Sequence, residues 1–220
     1  MSSGLRYKFQ GSHISILTAF AADSPEPAIT GITKADPPVV TSAGHGLSNG
    51  DVIYITGIVG MTDLNARAYI VDGVTTDTFK LFDQDSTGYT AWSSGGTFTT
   101  GSWSEMCETK NWNRTGASKT QIDVTTVCSN AQEFESGLPG LGTLALTFNY
   151  AGDTSTAQIA LKTWDDSSGT MAIKRELPNS GGTRVYLGTV QQMSDTGGVG
   201  GVWEASANIQ LTGSVYTVVA

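Results

Sequence analysis

Apolar and polar positions alternate in short runs along this chain. The clearest run is Gly142 to Tyr150, where Leu144, Leu146 and Phe148 face one way and Thr143, Ala145, Thr147 and Asn149 the other, because successive side chains of a strand leave opposite faces. The first face suits a core; the small, hydroxylated face suits solvent, a lumen or a neighbouring subunit. Gln121 to Val127 reads as a second strand. The stretch between them, SNAQEFESGLPGLG, is too glycine-rich and turn-like for a core strand and too long for a tight hairpin loop, so a long connection is expected. It carries Phe134, Leu138 and Leu141. Apolar side chains on such a segment need a cover, which another copy of the chain can supply. Gly137, Pro139, Gly140 and Gly142 are expected to set its path through backbone geometry.

The same reading gives the remaining elements in order. A polar arm over residues 1 to 10 leads into a strand at Ser12 to Phe20, and Asp23 to Pro27 forms a linker in which two prolines remove backbone donors. Short strands follow at Val39 to Ser42, Asp51 to Thr56, Arg67 to Val74, Thr78 to Phe82 and Gly96 to Thr99, with a reversal at Asn49-Gly50. Trp103 to Trp112 is expected to be one strand, with Gln121 to Val127 returning as its partner. Thr154 or Ser155 caps a helix running to about Asp165, whose buried face is Ala157, Ala160, Leu161 and Trp164, and Gly169 ends it. Strands at Thr170 to Leu177, Thr183 to Met193 and Val202 to Thr212 close the chain. The change of texture at either end marks residues 28–101 as a small all-β unit threaded through a host made of residues 1–27 and 102–220. The fold class is mainly β: a β-sandwich with one short α-helix plus an inserted all-β domain.

Charge and candidate chemistry narrow the function. With 12 Lys and Arg against 20 Asp and Glu, a formal charge of −8, the chain is poorly suited to gripping nucleic acid, since phosphate contacts draw largely on Lys and Arg. Residues 1 to 20 lack the apolar run of a signal peptide, and no stretch approaches the roughly 20 apolar residues of a membrane helix. His13 and His45 have neither metal-ligand spacing nor cysteine neighbours, so no metal and no cofactor is expected; His45 reads as a turn residue. Cys107 and Cys128 are expected to be buried thiols, in keeping with synthesis in a reducing compartment. No Gly-x-Ser-x-Gly elbow or coherent triad supports a hydrolase. A carbohydrate-binding or adhesion module is the alternative, resting on the sandwich pattern and on Trp92, Trp103, Trp112 and Trp203. Asp123, inside QIDVTT, is an acid within a strand and suits an interface or a lumen. Glu133, Glu135 and Glu176 are further candidates for a lumen or interface.

QIDVTTVCSNAQEFESGLPGLGTLALTFNY, followed by the short helix and the late hairpin strands, resembles the major tail tube proteins of long non-contractile-tailed bacteriophages, in which an acidic DVT strand and a GL-x-x-x-G turn precede a β run. The resemblance covers residues 102–220 well and 1–27 weakly. It implies a subunit that closes into hexameric rings, the rings stacking into a tail tube through which genomic double-stranded DNA passes without specific binding. It further implies the tape measure, tail terminator and distal tail proteins as partners, assembly in the host bacterial cytoplasm and residence in the virion tail, with neither catalysis nor membrane contact. On this reading Phe134, Leu138 and Leu141 make inter-ring or inter-subunit contacts. The stretch TSAGHGLSNGDVIYITGIVGMTDLNARAYIV with DTFKLFDQDSTGY is similar to a small β module found repeatedly in phage tail proteins, expected on the outer wall.

Overall fold

The computed structural model describes residues 6–21 and 26–218; parts of the expected arm (residues 1–5) and of the linker at Asp23 to Pro27 (residues 23–25) lie outside the described residues. Fifteen strands occur among the described residues: β1 (His13–Ala21), β2 (Gly31–Ile32), β3 (Val39–Thr41), β4 (Val52–Val59), β5 (Arg67–Asp72), β6 (Thr78–Leu81), β7 (Ser94–Glu105), β8 (Thr109–Thr115), β9 (Ser118–Asp123), β10 (Phe134–Gly140), β11 (Thr143–Asn149), β12 (Met171–Glu176), β13 (Thr183–Thr196), β14 (Glu204–Leu211) and β15 (Tyr216–Val218). One α-helix, α1 (Thr156–Ser167), lies between β11 and β12. The protein is therefore mainly β with one short helix.

Thirteen strands form one antiparallel sheet in the order β2-β3-β6-β5-β4-β7-β1-β12-β13-β14-β11-β8, with β15 beside the first residues of β13; β9 and β10 pair only with each other. Alternation along the central strands feeds a core on each face. Ile14 and Ile16 of β1, Ile173 of β12 and Tyr186 of β13 face the larger core with α1 and with Leu144, Leu146 and Phe148 of β11. Leu17, Ala172 and Val185 leave the opposite face, where they meet Val52 of β4 and Ile70 of β5. Each Leu, Ile, Val or Phe side chain buried among them contributes about 1.5–3 kcal/mol. Two bulges keep the faces in phase, one between Leu17 and Ala19 and one between Val190 and Gln192. An extra residue restores the same face one position later. Leu17 and Phe20 thus share one core, and Val190 and Met193 share the other.

β7 joins the two halves of the molecule. Its first part pairs with β4, its last part with β1, and Thr100 is opposite both Ile53 and Ala21. The region expected as an insert has its own core around Ile53, Ile55, Leu64, Phe79 and Phe98, yet Val52 and Ile70 turn away from it into the core shared with β1, β12 and β13. Polar contacts follow the same seam: the Tyr216 hydroxyl donates to Asp72 Oδ1 at 2.7 Å and the Ser214 N–H to Asp83 Oδ2 at 2.8 Å.

Several expectations are corrected. Trp103 and Trp112 do not share a strand; a turn at residues 106–108 separates β7 from β8. β8 pairs with β11, and residues 118–123 turn away to pair with Phe134–Gly140, so the expected long loop contains a strand. Local pattern identifies a strand but not its partner, which long-range packing decides. Ser155 occupies the helix N-cap without a side-chain bond; instead Gln158 accepts from the Ala151 N–H and donates to the Asn149 carbonyl. The helix ends at Ser168, which takes the left-handed conformation (φ 53°) assigned to Gly169. Cys107 and Cys128 are free and exposed rather than buried, because both fall in turns outside the sheet. His45 follows the turn at residues 43–44 and is buried, its Nδ1 accepting from the Leu47 N–H.

Candidate assembly surface

β9 and β10 form a ribbon that leaves the sheet between β8 and β11. Gly142 shapes its root: φ is +90°, and a Cβ there would lie 2.3 Å from the Thr115 carbonyl oxygen, so a larger residue would force the two legs apart. In register, Phe134 faces Asp123, Glu135 faces Ile122 and Ser136 faces Gln121; the pairing then slips to Pro139 opposite Lys119. Proline has no N–H for the ladder and is tolerated at such a break. The slip leaves Leu138 outside the pairing and 91% exposed. Gly137 has a similar constraint in milder form, with a Cβ 3.1 Å from the Thr120 oxygen, whereas at Gly140 the nearest atom would be at an ordinary 3.6 Å.

The two faces of the ribbon differ. Residues directly opposite each other share a face, so Phe134 and Asp123 point one way and Glu135 and Ile122 the other, with Glu133 two positions before Glu135 on that second side. Asp123 closes the distal turn: its Oδ1 accepts from the Thr125 N–H at 2.9 Å, and the Thr125 hydroxyl, followed by that N–H, holds its carboxyl below the usual range. The Glu133 N–H donates to Thr125 Oγ1 at 3.0 Å, and the Val124 N–H to the Glu133 carbonyl at 3.0 Å. The Glu133 and Glu135 carboxylates bond to no side chain or backbone group among the described residues.

Ten of the eleven site residues expected from sequence therefore gather on this ribbon or at its root: Phe134, Leu138, Leu141, the four loop residues, Asp123, Glu133 and Glu135. Glu176 does not join them; it ends β12, opposite His13 and Thr183. Sequence reading did not single out Ile122 and Val127, both exposed here. It also missed a second apolar patch at the other end of β11, where the Tyr150 N–H donates to the Trp203 carbonyl at 2.9 Å and Tyr150, Ile159 and Trp203 are exposed. Of the other tryptophans, Trp92, Trp103 and Trp112 pack against the three cores.

A ribbon of two strands is at best marginally stable alone in water, and every residue of β9 is exposed. The arrangement presents open strand edges, an exposed apolar side and a pair of free carboxylates, which suits it to docking on another protein surface. A family model described as phage tail tube protein matches residues 59–220. The match begins at the last residue of β4, so it takes in β5, β6 and β7 as well as the strands that follow. No curated protein matches the sequence.

Proposed function

The chain belongs to the phage tail tube protein family, a structural component of the virion, and from that premise we propose that it forms hexameric rings which stack into the tail tube and conduct the genome during ejection. The observation that carries this reading is the projecting β9–β10 ribbon, on which Phe134, Leu138 and Leu141 are exposed among the described residues. A heterologous contact repeated around a closed rotation gives a ring, and an element projecting out of the ring bridges to the next.

On this reading the tail is long and non-contractile, and the subunits assemble in the host cytoplasm. The tape measure protein occupies the bore during assembly, and the terminator and distal tail proteins cap the tube's ends. Residues 28–101 lie on the outer wall. Outside that region the chain has thirteen acidic residues and nine basic ones. A bore lined by more carboxylates than cations repels DNA over about 8 Å at physiological ionic strength and lets it slide.

Electron microscopy of the purified full-length chain tests the reading. Rings or tubes with sixfold symmetry support it. Monodisperse monomers at high concentration, or tubes whose channel is lined mainly by Lys and Arg, overturn the hexamer and the low-friction bore respectively.

A further inference from the structure

Arginines from three strands converge at the end of the larger core from which the ribbon leaves. Arg114 of β8 follows Trp112 on the same face, Arg175 of β12 lies opposite Arg184 of β13, and Tyr186 is two positions beyond Arg184. The Arg114 guanidinium sits 5.8 Å from the centre of the Tyr186 ring, the Arg175 guanidinium 5.8 Å from the centre of Trp112, and the two rings are 5.5 Å apart. The register places all of them on the face that carries Leu144 and Ile173. Three cations are thus drawn together in a chain with only 12 Lys and Arg.

What is absent from this cluster is an anion. None of the three arginines is within salt-bridge distance of a carboxylate among the described residues. The Nε atoms of Arg114 and Arg175 are buried without an acceptor, and so is the hydroxyl of Tyr186, a residue only 2% exposed. A buried donor left unpaired costs about 1–3 kcal/mol, more when charged, and the guanidinium fork fits a carboxylate through two parallel bonds. The cluster therefore leaves its guanidinium groups open to a carboxylate from outside the subunit.

The same chain presents that ligand. Glu133, whose carbonyl accepts from the Val124 N–H just before β10 begins, and Glu135 lie two positions apart on one side of the ribbon; beside them is exposed Ile122. An acid pair flanked by an aliphatic side chain complements an arginine pair set on two rings. Resting on the self-assembly reading above, we infer that the Arg114–Arg175–Arg184 cluster is the receptor for the Glu133/Glu135 face of the ribbon from a second copy of the chain. The contact is charge-assisted, so it weakens as salt rises.

Two full-length variants test this: Arg114→Gln/Arg175→Gln keeps the ribbon but removes the receptor, and Glu133→Gln/Glu135→Gln does the reverse. Sedimentation should show the parent self-associating and each variant doing so at least tenfold more weakly. A one-to-one mixture should form heterocomplexes, because each variant supplies what the other lacks. The glutamate variant lies on an exposed ribbon and tests the contact even if the partly buried arginine variant folds poorly. Variants that assemble as the parent does, while the parent forms tubes under the microscope, overturn the contact and leave the tube reading standing. A parent that associates through this contact without forming rings or tubes overturns the tube reading instead. Labelled double-stranded DNA retained by the parent and released by Arg114→Gln/Arg175→Gln would reassign the cluster to phosphate and sink the inference.

Discussion

The hydroxyl of Tyr216 donates to Asp72 Oδ1 at 2.7 Å, joining β15 to β5 in the region that sequence reading expected as an insert. The Tyr216 ring also meets Phe82 edge-on, with centres 4.8 Å apart. A hydrogen bond to a charged acceptor contributes about 1.5–3 kcal/mol, so Tyr216→Phe should lower unfolding stability by about 2 kcal/mol in urea titration. An unchanged midpoint would mean that this hydrogen bond adds nothing to the seam.

Replacing residues 28–101 by a short Gly/Ser linker gives a larger effect. A unit with adjacent ends is ordinarily removable. Here its loss uncovers Leu17, Ala172 and Val185 and takes away the half of β7 that pairs with β4. The deletion product should be poorly soluble or unfold without a cooperative transition. A soluble product with the parent's urea midpoint would show that the two parts fold independently.

Leu138→Ser combined with Leu141→Ser separates assembly from folding. Both side chains are exposed in the subunit, and exposed substitutions generally change stability by no more than about 0.5 kcal/mol. Thermal unfolding of the subunit should therefore be nearly unchanged while polymerisation, followed by light scattering, falls at least several-fold. Parent-like polymerisation would remove these leucines from the contact.

Gly142→Ala is the converse case. Its positive φ and the 2.3 Å approach to Thr115 make the change cost about 1–3 kcal/mol, and the strain falls at the ribbon's root. Stability and polymerisation should decline together, with faster amide exchange in residues 118–140. Unaltered exchange there would show that the root relaxes without disturbing the ribbon.

Alkaline pH should destabilise the fold. Burial pushes the Tyr69 phenol well above its ordinary value, and burial followed by the Asp72 carboxylate does the same for Tyr216. A group whose pKa is raised by folding contributes its full stabilisation below its unfolded pKa, near 10 for tyrosine, and loses it as pH rises toward the folded value. The thermal midpoint should fall as pH passes about 10. Tyr69→Phe and Tyr216→Phe should each flatten that fall; equal slopes in parent and variants would assign it to other groups.

Much of the local architecture is legible from residues alone. Leu144, Leu146 and Phe148 alternate because β11 has one buried face, and all three are fully buried. Ala157, Ala160 and Leu161 mark the inward side of α1 for the equivalent reason at helical spacing. The apolar residues between Phe134 and Leu141 stood out because nothing in the local pattern could bury them, and the fold leaves them exposed. Side-chain periodicity reports which face of an element is dry, and that is a property of consecutive residues.

Partner choice is not such a property, and there the tertiary structure decided. Phe134–Gly140 is a strand because β9 has left β8 to pair with it, and β7 runs through the expected boundary because Thr100 can bond Ile53 on one side and Ala21 on the other. The arginine cluster is the extreme case: Arg114, Arg175 and Arg184 are separated by up to seventy positions and meet only when the sheet brings β8 across from β12 and β13. The sequence determined the faces of the strands, through the chemistry of neighbouring side chains; the order of the strands, and every site built between them, followed from long-range packing that no local window contains.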